Sequence, residues 1–140
     1  MIKFDHIEVH VSKSKEYVLF LEKLFGGGRY KQISKNQTFM FITADDIHIE
    51  IKQSSDYRKN DFKEDIGFCL PCLRMKGAFD HIRSLNEVVI TNKIENPDGP
   101  CYFFKDYEGI DWHIKDYDIQ DIYIKFLSNS QKHIQYTLNI

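Results

Sequence analysis

The sequence lacks a charge excess of either sign. Its 19 Lys and Arg stand against 21 Asp and Glu, and the cations are scattered rather than striped. The electrostatic footprint of nucleic-acid binding is therefore missing, and neither DNA nor RNA is expected as a partner. A disulfide pattern is missing too. Cys69, Cys72 and Cys101 form an odd set without staple spacing, which points to reduced thiols and a cytoplasmic protein. Cys69 and Cys72 make a C-x-x-C, but no helix start follows that would lower a thiol pKa. No apolar run approaches a membrane span, and the opening residues show no signal peptide, so no membrane association is expected. The glycine run Gly26-Gly27-Gly28 follows a helical stretch and precedes no Gly-Lys-Ser/Thr, so it stops a helix rather than cradling a phosphate.

What is present is alternation. In His6-Ile7-Glu8-Val9-His10-Val11 the apolar residues alternate with two imidazoles and a carboxylate, the two-residue period of a half-buried strand. A solvated strand face usually carries Lys, Thr and Glu; this one carries good metal ligands. Ile47–Lys52 sets His48, Glu50 and Lys52 opposite three isoleucines. Asp65–Leu70 sets Asp65 and Cys69 opposite Ile66, Phe68 and Leu70. Ile110–Lys115 sets Asp111 and His113 opposite Ile110, Trp112 and Ile114. If the four polar faces converge, they line a cavity able to hold a cation.

The 140 residues amount to a single domain, and 11 Phe with 8 Tyr predict a large-residue, β-rich core. Ser14 reads as an N-cap, with Tyr17, Phe20, Leu21 and Leu24 at helical spacing behind it. Strands are expected at 30–33, 38–43 and 47–52, then a polar linker at 54–63. From Asp65 the order begins again. A strand at 65–70 leads through Pro71 and Arg74 to a helix around 77–86, a strand at 88–91 and a turn-rich loop at 95–100. Strands at 101–105 and 110–115 complete it. The repeat divides a domain at 1–116 into halves 1–53 and 64–116. The tail at 117–140 carries a helical stripe of Ile119, Ile122, Tyr123, Phe126 and Leu127 and reads as a terminal helix over a sheet edge or dimer seam.

A strand-helix-strand-strand-strand unit written twice resembles the vicinal oxygen chelate superfamily, the glyoxalase, bleomycin-resistance and ring-cleaving-dioxygenase group. Phe4–Val11 with its helix to Gly26 carries the resemblance, and so does Tyr102–His113, which is similar to the family's closing motif. The fold implied is α+β: two paired βαβββ units forming a curved mixed sheet around a cavity, with a homodimer expected. By position the resemblance implies metal ligands at His6, Glu50, Asp65 and His113, where the family's usual set is His, Glu, His, Glu. Two imidazoles and two carboxylates suit a divalent Zn, Mn, Fe or Ni ion. Glu50 and His113 are the candidate catalytic groups. Glu50 is the better base, because a metal-bound imidazole cannot take a proton. The implied activity is a metal-dependent reaction on a small oxygen-bearing substrate, with isomerase or lyase chemistry ahead of dioxygenase chemistry. The alternative is a metal-free protein that sequesters a small molecule, as bleomycin-resistance members do. Either site residue alone is as well explained by a solvated or hydrogen-bonded role, and an Asp65–His113 pair would also stabilise a sheet.

Overall fold

The computed structural model of the chain describes residues 1, 3–54 and 71–118. The first unit runs β1 (Ile7–Val11), α1 (Ser14–Phe25), β2 (Arg29–Ser34), β3 (Thr38–Ile42) and β4 (His48–Gln53). The second repeats the order with β5 (Cys72–Arg74), α2 (Ala78–Arg83), β6 (Val88–Asn96), β7 (Gly99–Asp106) and β8 (Asp111–Lys115). Each unit is a four-stranded mixed sheet, ordered β1-β4-β3-β2 and β5-β8-β7-β6. In both, the first strand lies parallel to the last and the remaining pairs are antiparallel.

α1 buries Tyr17, Phe20, Leu21 and Leu24, the stripe expected from their spacing. It ends at Gly26 in the left-handed conformation (φ 67°), where the Gly26 and Gly27 amides close onto the carbonyls of Lys23 and Glu22. Gly28 is confined differently: at φ +115° a Cβ would stand 2.5 Å from Phe41 Cζ. Ser14 is not the N-cap. Lys13 holds that place, and the buried Ser14 hydroxyl donates instead to the Gln37 carbonyl of the β2–β3 turn.

Two other expectations shift, and two fall outside the described residues. The stretch through Pro71 and Arg74 contains the strand that pairs with β8, whereas Asp65–Leu70 lies outside the described residues. The segment at 95–100 is not an open loop but the tip of the β6–β7 hairpin, pairing Glu95 with Pro100 and Asn96 with Gly99. The helical stripe of the tail lies outside the described residues.

The apolar faces of both sheets contribute to one core. Phe39, Phe41 and Ile51 from the first unit join Phe104, Trp112 and Ile114 from the second, with the buried face of α1 among them. Two polar clasps lock the units together. Asp106, 4 % exposed, accepts hydrogen bonds from the Tyr17 hydroxyl at 2.8 Å, Trp112 Nε1 at 3.0 Å and the backbone amides of Glu108 and Ile110. Ser12 Oγ donates to Glu108 Oε1 at 2.6 Å. Burial pushes the Asp106 carboxyl up, and its four donors offset only part of that rise. Replacing Asp106 by Ala strands the Tyr17 hydroxyl, the indole N–H and two amides. The expected loss is about 3 kcal/mol in urea denaturation, and a loss below about 0.5 kcal/mol would show that the clasp does not carry the interface.

Candidate metal site

β1 and β4 run parallel with Glu8 facing Glu50 and His10 facing Lys52. Ile49 and Ile51 turn into the core, so Glu50 between them points to the opposite face. There its side chain is only 15 % exposed, and its Oε2 lies 2.9 Å from Nε2 of His6. The other ring nitrogen of His6 donates to Asp5 Oδ2 at 2.6 Å. That hydrogen bond is the main reason the His6 imidazolium is favoured, with the Glu50 charge adding to it against partial desolvation.

The geometry has a chemical consequence. Once Asp5 holds the proton on Nδ1, a neutral His6 turns a lone pair from Nε2 toward the Glu50 carboxylate. Two acceptors at this separation need a cation between them, either a proton or a metal ion. Two donor atoms bound to one ion at about 2.0–2.2 Å lie about 3 Å apart, so the His6–Glu50 pair is spaced as a metal-binding pair would be. Lys52 Nζ completes the cluster, 2.5 Å from Glu8 Oε1 and 3.5 Å from Glu50 Oε1.

His113 occupies the matching position in the second unit: it lies between core residues Trp112 and Ile114 as Glu50 lies between Ile49 and Ile51. Its ring stacks on Phe103 of β7 at 5.3 Å, and its Nδ1 is buried with no hydrogen-bond partner among the described residues. Burial, and secondarily the Lys115 charge, push its pKa down, so the ring is held neutral and able to act as a ligand.

The sheets therefore bring His6 and Glu50 together and leave His113 apart, because both apolar faces are spent on the shared core and the ligand faces point away from it. Among the described residues no three His, Cys, Asp or Glu side chains gather as a group able to hold a metal. Asp65 lies outside the described residues. The carboxylates of Glu8 and Asp111, on the same strand faces, are engaged elsewhere: Glu8 pairs with Lys52 and His10, and Asp111 pairs with Lys105 at 3.1 Å. The residue that orients His6 is Asp5, its own chain neighbour. An Asp next to a candidate ligand was the signal available. His81 of α2 contacts the Leu24 carbonyl at the end of α1 through Nε2 at 2.9 Å.

By sequence, no family model and no curated protein matches the chain. By structure it is similar to a FosX fosfomycin resistance protein variant from Listeria monocytogenes in complex with Mn(II) and 1S,2S-dihydroxypropylphosphonic acid. That match has a TM-score of 0.63 at 16 % identity, covering 85 % of this chain and 94 % of the other. FosX from Mesorhizobium loti matches with a TM-score of 0.61 at 15 % identity, over 91 % of this chain and 99 % of its own. An integron cassette protein from the mobile metagenome of V. cholerae matches with a TM-score of 0.53 at 16 % identity, over 81 % and 96 %.

The two histidines should titrate on opposite sides of the ordinary imidazole value of 6.5, His6 above it and His113 below. His6 thus adds stability below pH 6.5 that is lost as pH rises through its raised value, whereas His113 withdraws stability as pH falls below 6.5. NMR titration of the imidazole C–H signals measures both. Asp5→Asn and Glu50→Gln should each bring His6 down and leave His113 unmoved; a His6 that ignores both changes would contradict the geometry.

Proposed function

The chain has the vicinal oxygen chelate fold of its FosX neighbours, and from that premise we propose a metal-dependent enzyme of the glyoxalase type acting on a small oxygen-bearing substrate. The observation that carries this reading is the pair of facing acceptors, His6 Nε2 and Glu50 Oε2 at 2.9 Å, backed by Asp5. Together with His113 they make a two-imidazole, one-carboxylate set that fits a divalent cation. Asp65 is retained as a proposed fourth ligand from the family pattern. When bound, the ion supplies a Lewis acid that polarises a substrate oxygen.

The chain's own groups do the rest. Asp5 holds the His6 tautomer, and Lys52 steers the second oxygen of Glu50. Glu50 accepts a proton from the carbon beside the polarised oxygen, which favours isomerase or lyase chemistry over oxygen chemistry. Phe103 holds the His113 ring flat and screens it from water.

A second copy of the chain completes the site in this proposal. β1 and β5 each stand at a sheet edge, and neither outer edge has a strand partner among the described residues. Pairing β1 of one protomer with β5 of the other joins sheets of different chains. It also brings His6 and Glu50 of one to the same face as His113 of its partner. The free thiols of Cys72 and Cys101 suit a reducing compartment, and we place the protein in the cytoplasm. Among the described residues no helix is long and apolar enough to cross a membrane.

One observation favours the alternative of small-molecule sequestration. A cavity of about 340 Å³ opens between the two apolar faces, lined by Leu21, Phe25, Ile49, Leu73 and Trp112, in the size range of ligand pockets. Quenching of Trp112 fluorescence by an aromatic ligand in metal-free protein would support it.

Protein purified without chelator should contain about one divalent metal per chain and sediment as two chains. His6→Ala should abolish the metal and keep the dimer. Metal-free wild-type protein that stays metal-free in excess Mn²⁺ or Zn²⁺ would overturn the enzyme reading.

A further inference from the structure

The register of the second sheet adds a residue that the family pattern does not supply. β5 lies parallel to β8 with Cys72 directly facing His113, and the His113 amide donates to the Pro71 carbonyl at 3.0 Å. Register partners on neighbouring strands share a sheet face, and the strands lie about 4.8 Å apart. The Cys72 thiol therefore lies on the same face as the imidazole, on the side away from Phe103, which pairs with His113 from β7. The ring is flanked by an aromatic wall on one strand and a sulfur on the other, and its buried Nδ1 has no partner among the described residues.

The two units differ at this register position. In the first, the residue facing Glu50 is Glu8, and Lys52 occupies its carboxylate at 2.5 Å. In the second, the residue facing His113 is a free thiol on an exposed position, and among the described residues its hydrogen-bond contact is a weak one of 3.7 Å to the Leu73 carbonyl. Cys101 shares the face but is buried and stands opposite Lys115, one pair further along.

We infer that Cys72, in the place that the family pattern gave to Asp65, is a sulfur ligand of the proposed metal site, giving a His6–Glu50–Cys72–His113 set of two nitrogens, one oxygen and one sulfur. On binding, the thiol proton leaves to solvent and an S–metal bond replaces the S–H bond. A thiolate tips the site toward a softer, tetrahedral ion, so Zn²⁺ is bound in preference to Mn²⁺.

This inference rests on the metal-site reading, and Co²⁺ separates the two because it reports sulfur ligation through near-ultraviolet charge transfer and binding itself through visible d–d absorption. The full chain, stripped of metal and reduced, is titrated with Co²⁺. Wild type, Cys69→Ser and Cys101→Ser should show both absorptions, whereas Cys72→Ser should keep the visible band and lose the charge-transfer band. Its preference for Zn²⁺ over Mn²⁺ in competition should fall at least tenfold. Visible binding without charge transfer in wild type, or a charge-transfer band that follows Cys69 or Cys101, overturns the role of Cys72 and leaves the metal reading standing. No Co²⁺ binding at all overturns both.

Discussion

One shared core dictates the rest of this molecule. Each sheet has a single apolar face, and both faces contribute to the cluster that includes Phe41, Ile51, Phe104 and Trp112. Strand alternation then leaves the residues between them no choice but the outer faces. Glu50 and His113 each emerge on the face of their own sheet turned away from that core.

The same constraint explains why the first half-site is electrostatically tense. Asp5, Glu8 and Glu50 bring three carboxylates to the ends of β1 and β4, and His6, His10 and Lys52 are drawn among them. The second half-site has the opposite character: a stacked imidazole kept neutral by burial, two thiols and Lys115. An anionic half and a neutral or cationic half complement each other across an interface in a way that two identical halves would not.

Much of the fold was legible because alternation and helical spacing are local. β1, α1, β3, β4, β7 and β8 sit where the period of their apolar residues placed them, within a residue or two at their ends. The repeat showed because both halves spell the same order. Local pattern failed where pairing decides. Pro71 and the residues after it look like a connection, yet Cys72–Arg74 is a strand because β8 offers it an edge. Ser14 looks like a cap, but the Gln37 carbonyl, brought close by the fold, takes its hydroxyl. In the site, His6 and Glu50 were legible as ligand-grade residues on one face, whereas the roles of Asp5 and Cys72 depend on which atoms the folded strands bring within reach.

The central claim is that one cation is gripped by His6 and Glu50 of one protomer and His113 of its partner. Mixing denatured His6→Ala and His113→Ala chains, refolding them together and measuring bound metal tests it directly. Neither variant alone should hold metal, and the mixture should recover it, because the mixed dimer has one site with both histidines intact. If the mixture stays as empty as its components while forming dimers, the ligands do not meet across the interface and the account is wrong.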